Sequence, residues 1–184
     1  MIQNWRQAWG HGDFPFLFVQ IAPHQGMKPE IREAQLLSWQ QVPRTAMAVI
    51  TDVGNETDIH PTQKEPVGHR LALAARAIAY GENLEYSGPV YASMKIDGDR
   101  AILSFTHVGS GLVAKDGELK GFTIAGSDDA FIPAKAVIEG DKVVISNREV
   151  AKPVAVGYGW ANTPNVNLFN QEDLPATPFR TDVK

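Results

Sequence analysis

No cysteine occurs among the 184 residues, which excludes disulfides and thiolate chemistry without fixing the compartment. No apolar run approaches the roughly 20 residues of a membrane-spanning helix, and the opening MIQNWRQAWG has no apolar signal-peptide region. Basic clusters are missing too. The 17 lysines and arginines are dispersed and the net charge is −4, which argues against a nucleic-acid surface or a membrane-binding patch. Neither a GxGxxG nor a GxxxxGK phosphate cradle is found, nor a G-x-S-x-G nucleophile turn. Ser110, Ser127 and Ser146 fall in turns or at strand ends. His11, His24, His69 and His107 have no metal-ligand spacing, so neither a metal nor a cofactor is expected. With 43% hydrophobic residues, the chain has the material for one good core or two small ones.

The patterning changes character near Gly81–Pro89. Before that point helix and strand signals alternate. Ile2, Trp5 and Trp9 have helical spacing, and Trp5, Trp9 and Trp39 are expected in the core. PFLFVQIA, residues 15–22, is a continuous apolar run suited to a buried parallel strand. Pro29 opens a helix that continues to about Gln41, with Glu30 and Glu33 early, where the dipole favours acids. A strand follows at Ala46–Ile50, then a polar loop, then a helix over about 64–80. In that helix Val67, Leu71, Ala74, Ala75 and Ile78 form a core-facing stripe. The α-β-α-β-α order implies a right-handed crossover and a parallel strand pair. Two parallel strands alone leave an apolar edge and face uncovered, so residues 1–84 read as the end of a larger α/β domain, with a partner or second copy over residues 16–22 and 46–50.

After Pro89 the period becomes two. Short strands are predicted at 90–96, 100–107, 121–125, 134–139, 142–146 and 154–158, with Asp97-Gly98 and Gly140-Asp141 as tight turns. This spacing predicts an all-β sandwich over residues 85–184. The Pro- and Asn-rich tail from Asn162 is expected as ordered loop over a surface.

The polar loop after the second strand, TDVGNETDIHP, holds the strongest chemical candidates. A histidine after a buried strand sits at the carboxyl edge of a sheet, where open α/β folds keep their ligands. His60 can serve as a general base near neutral pH, and a nearby carboxylate can orient it. Asp58 and Asp52 are both in reach of that role. Arg32 and Gln35 share one face of the preceding helix, where they either reach a substrate or tie the helix to the sheet. Trp160, in GYGWAN, is a weaker core residue and a candidate for stacking on a sugar.

Several stretches together resemble the sialate O-acetylesterase family, carbohydrate esterases of the SGNH-hydrolase type. They are MIQNWRQAWGHGDFPFLFVQIAP, REAQ at Arg32–Gln35, TDVGN with DIHPTQKEPVGHRLA, YSGPVY at Tyr86–Tyr91, GFTIAGSDDAF at Gly121–Phe131 and NLFNQEDLPATPFRTD at Asn167–Asp182. The resemblance covers essentially the whole chain but only the family's C-terminal part. It implies an α/β fold, the C-terminal part of an SGNH-like three-layer domain, followed by a β-sandwich. It also implies a serine hydrolase that removes O-acetyl groups from sugars, in a periplasmic or secreted setting. His60 matches the family's catalytic histidine by position. Asp58 matches the family's DIHP form, whereas the broader superfamily places its acid three residues before the histidine, at Thr57 here. The nucleophilic serine, in a Gly-Gln-Ser-Asn-like turn, and the oxyanion donors belong to upstream parts of the family, so the isolated chain is expected to be inactive. The competing reading is a non-catalytic chain whose sandwich binds a glycan or partner while the α/β part is scaffold.

Overall fold

A computed structural model describes residues 1–182. Its first part runs α1 (Ile2–Trp9), β1 (Phe16–Val19), α2 (Pro29–Gln41), β2 (Thr45–Ala48) and α3 (Glu65–Ile78). β1 and β2 pair in parallel, Phe16 opposite Thr45 and Val19 opposite Ala48. Alternation along the second strand sends neighbouring side chains to opposite faces. Met47 and Val49 pack with Leu36 and Trp39 of α2, and Ile50 packs with Val67 of α3. Helices from the same chain therefore bury all four residues of β2. β1 is different: each of its residues stays half-buried.

α1 corrects the expectation for Trp5 and Trp9, which are 44% and 62% exposed. The residue that α1 buries is Arg6, whose guanidinium donates to the carbonyls of Phe14 at 2.7 Å and Pro43 at 3.0 Å. Fixing the helix through that arginine turns the two indoles outward. They stack on each other at 6.4 Å, with Trp9 stacked on Phe14 at 5.2 Å and Trp5 tilted against Phe16 at 5.6 Å. Trp39 does pack against a core cluster.

The rest is antiparallel. Among the described residues ten strands follow: β3 (Val90–Asp97), β4 (Arg100–Thr106), β5 (Leu112–Ala114), β6 (Phe122–Ala125), β7 (Ile132–Pro133), β8 (Lys135–Glu139), β9 (Lys142–Ser146), β10 (Ala155–Tyr158), β11 (Leu168–Asn170) and β12 (Phe179–Arg180). They form two four-stranded sheets, ordered β3-β4-β9-β8 and β12-β10-β6-β7, and a pair β11-β5. Leu103, Val143 and Ile145 of the first sheet meet Ile124, Val156 and Tyr158 of the second in one core, joined by Leu112 and Leu168. Each large aliphatic side chain so buried contributes roughly 1.5–3 kcal/mol.

The tail also departs from expectation. It is not a loop lying over a surface: Leu168, Phe169, Leu174, Ala176 and Phe179 are buried. Phe179 stacks between Tyr91, at 4.7 Å, and Tyr158, at 5.9 Å. Leu168, Ala176 and Phe179 join the core between the two sheets, and the packing of Phe179 there removes several aromatic faces from water.

Candidate active site

The loop between β2 and α3 leaves the sheet at Thr51 and turns on two glycine and asparagine devices. At Gly54 a Cβ would lie 2.5–2.7 Å from three ring carbons of Pro23, so a side chain is excluded there. The Asn55 carboxamide oxygen accepts from the backbone N–H groups of Thr57 at 2.9 Å and Asp58 at 3.1 Å. This Asx turn fixes the backbone at Asp58, whose carboxylate reaches forward along the chain. One oxygen of Asp58 then accepts twice from His60, from its backbone N–H at 2.9 Å and its ring Nδ1 at 3.1 Å.

Those two bonds, the backbone one foremost, hold the Asp58 carboxyl below the ordinary carboxylate range. An ionised carboxylate only accepts, so in the neutral imidazole the proton sits on Nδ1 and the lone pair on Nε2. The imidazole is open, with 84% of its side chain exposed. The pair is thus an oriented base facing solvent. Among the described residues no serine hydroxyl hydrogen-bonds His60; Ser110, for example, donates to Glu172 at 2.6 Å.

Asp52 takes another partner. Both of its carboxylate oxygens accept from Arg70 at 2.7 Å, and Arg70 also donates to the Val49 carbonyl at 2.8 Å. The contact to His60 belongs to Asp58. Arg70 itself escaped the sequence reading although it lies on the α3 stripe, three residues after Val67 and four before Ala74.

Arg32 and Gln35 are engaged by backbone. The Gln35 carboxamide accepts from Ile21 N–H at 2.8 Å and donates to the Val19 carbonyl at 3.3 Å, stitching α2 to the end of β1. Arg32 is wholly buried, and burial lowers the pKa of its guanidinium. Its Nη2 donates to the carbonyls of Ala161 and, at 3.3 Å, Asn162. Trp160 lies in the same loop under the Arg180 guanidinium at 4.5 Å, and Arg180 pairs with Glu33 at 3.0 and 3.1 Å. Adjacent residues of α2 therefore hold the loop after β10 against the first part of the chain. Among the described residues no group of three or more histidines and acids is placed to hold a metal.

No family model matches the chain. Over 97% of its length it is 30% identical to the sialate O-acetylesterase of Mus musculus and 29% identical to that of Homo sapiens. It spans 39% and 40% of the lengths of those relatives. A crystal structure of a carbohydrate acetylesterase from Xanthomonas citri superimposes on the whole chain with a TM-score of 0.95 at 47% identity, and the chain covers 45% of that protein. The resemblance to sialate O-acetylesterases is thereby established along essentially the entire chain, as is the kinship of its mixed α/β and antiparallel fold with a carbohydrate acetylesterase.

Proposed function

We propose that the chain is the C-terminal, base-bearing part of a carbohydrate O-acetylesterase. Residues 1–84 form the end of an SGNH-like three-layer esterase domain and residues 85–184 a β-sandwich. The observation that carries this reading is the Asp58–His60 pair, in which one carboxylate oxygen fixes both the backbone and Nδ1 of the histidine and leaves Nε2 free in an exposed ring.

In the reaction a serine of the remaining esterase segment attacks the acetyl carbonyl. His60 Nε2 takes the hydroxyl proton and returns it to the departing sugar oxygen. Water, deprotonated by the same nitrogen, then cleaves the acetyl-serine and releases acetate. Asp58 keeps the imidazole in the required tautomer and stabilises its charged form. Oxyanion donors come from the same remaining segment, and no cofactor takes part. A polar cleft of about 340 Å³ beside the loop, lined by Asp52, Gln63, His69 and Glu172 among others, offers partners for sugar hydroxyls. Arg32 and Gln35 support the site from behind through backbone contacts rather than by touching substrate.

The remaining segment, or a second copy, covers the half-buried strand β1 and its aromatic surroundings. A groove of about 550 Å³ there is lined by Ile2, Phe16, Phe18 and Val42. Exposed apolar surface of this kind favours association.

The test is acetate release from an O-acetylated sugar. The isolated 184 residues are expected to be inactive, and addition of the segment corresponding to the rest of the relatives, in cis or as a second chain, is expected to restore turnover. His60→Ala then abolishes it and Asp58→Asn slows it. Turnover by the isolated chain that depends on one of its own serines refutes the reading. A second reading, glycan or partner binding without turnover, is favoured by the lack of a serine on His60 among the described residues. Sugar binding with no acetate release in the combined protein decides for it.

A further inference from the structure

We propose that Asn162, in the loop after β10, is a positioning residue for the Asp58–His60 pair, acting through Gln25. The inference rests on reading His60 as the base. It starts from how few hydrogen bonds tie that base to the rest of the protein. Within residues 54–63 the polar contacts are almost all internal: Asn55 bonds Thr57 and Asp58, and Asp58 bonds His60. Among the described residues, one hydrogen bond joins this stretch to the body of the protein, from Gln25 N–H to the Glu56 carbonyl at 3.0 Å. Glu56 is two residues before Asp58.

Gln25 is fixed from its other side by Asn162, whose carboxamide donates to the Gln25 carbonyl at 2.6 Å. The Asn162 carbonyl also accepts from His24 N–H at 3.3 Å, so one residue holds the His24–Gln25 dipeptide at its first N–H and its last carbonyl. Asn162 is itself anchored, because its carbonyl and that of Ala161 receive the buried Arg32 guanidinium. A continuous run of hydrogen bonds therefore leads from α2 through Arg32, Asn162 and Gln25 to Glu56. Close packing of Gly54 on Pro23 runs beside it and keeps the two loops in contact. The separation of 137 positions from Gln25 to Asn162 makes this a long-range tie. It lets the antiparallel part of the chain set the geometry of a base that belongs to the α/β part. Small misplacements of a base are costly in rate, since proton transfer needs near-contact geometry.

The test uses the 184-residue chain and the isosteric replacement Asn162→Asp, which keeps the shape and removes the donor to Gln25. Backbone hydrogen exchange and the carboxyl ¹³C titration of Asp58 are the readouts. Exchange at Gln25 N–H is expected to quicken by about tenfold, the loss of roughly one hydrogen bond. The Asp58 carboxyl is expected to titrate closer to its ordinary range as its bonds to His60 loosen. Amides of Val156 and Tyr158 in β10 keep their protection. The exposed neighbour Asn165, substituted by Ala, serves as a control that moves neither readout. If Gln25 and Asp58 are unchanged in Asn162→Asp, or if the β10 amides lose protection to the same extent, the positioning role is refuted. In the combined enzyme the same substitution lowers kcat while leaving KM nearly constant. Coupling seen by exchange together with a His60→Ala enzyme that still releases acetate overturns the base assignment and leaves the tie itself standing.

Discussion

Replacing Asp52 by Ala strands a charge. Arg70 has 6% of its side chain exposed and Asp52 has 23%, so the two partners are unequally shielded. Taking away one member of a buried ion pair costs about 3–5 kcal/mol, because the other is left uncompensated in low dielectric. Water that reaches the Asp52 position lowers that figure, and about 2–3 kcal/mol is expected for Asp52→Ala. Arg70 keeps its bond to the Val49 carbonyl, which softens the loss without neutralising the charge. The reverse change, Arg70→Met, leaves the more exposed partner behind and fills the space with apolar volume, so about 1–2 kcal/mol is expected. The asymmetry is the informative part: the more exposed residue of the pair is the costlier one to lose. For a chain of this size each kcal/mol lowers Tm by about 2–4 °C, so Asp52→Ala melts about 4–12 °C below the parent. Urea denaturation of both single variants and the double variant completes a cycle, in which the double is less destabilised than the sum by about 1–2 kcal/mol. An Asp52→Ala loss under about 0.5 kcal/mol, or strict additivity, refutes the claim that Arg70 depends on Asp52.

Tyr158→Phe removes the hydroxyl that accepts from Leu168 N–H at 3.0 Å, and a buried N–H without a partner is expected to cost about 1–3 kcal/mol in chemical denaturation. Burial holds the Tyr158 phenol well above its ordinary value, and Tyr86 and Tyr91 are shifted the same way. A raised folded-state value means the stabilisation is complete below about pH 10 and is lost as pH climbs above it, so melting curves should fall in strong alkali, less steeply for Tyr158→Phe. Gly88→Ala places a Cβ on the backbone carbonyls of Leu174 and Pro175, and loss of well over 1 kcal/mol, or no folded protein, is expected by circular dichroism. Trp9→Ser, at an exposed position, should change stability by less than about 1 kcal/mol yet reduce self-association in sedimentation, and equal sedimentation of both proteins removes the aromatic face from the interface.

Local rules carried far in parts of this chain. Lys142–Ser146 is a short β-branched run behind a Gly-Asp turn, and β9 has those bounds. Pro29 at the first turn and the halt before Pro43 bracket α2 for equally local reasons. Where the pattern misled, the deciding contact was remote. Trp5 and Trp9 have the spacing of a buried stripe, but Arg6 finds three carbonyls from two other segments and turns that stripe outward. β11 and β12 have three and two residues in a proline-rich stretch, too short for any period to register. At the candidate site His60 and Asp58 were legible because their bond spans two residues. Asn162 was not: nothing near it in sequence signals that its amide meets Gln25.

The order of synthesis gives the placement of Phe179 a temporal meaning. Strands β3 to β10 all leave the ribosome before it, yet the ring that bridges Tyr91 and Tyr158 comes from a segment made after every one of them. Until residues 168–180 emerge, the core between the two larger sheets lacks Leu168, Ala176 and Phe179, and part of their apolar faces stands open to chaperones and to neighbouring nascent chains. Long-range pairing of this kind is slow to reward the chain for closing its loops. A nick or deletion confined to residues 168–180 thereby acts on the whole antiparallel half rather than on its fringe. Synthesis of this stretch is a folding event for the strands already made.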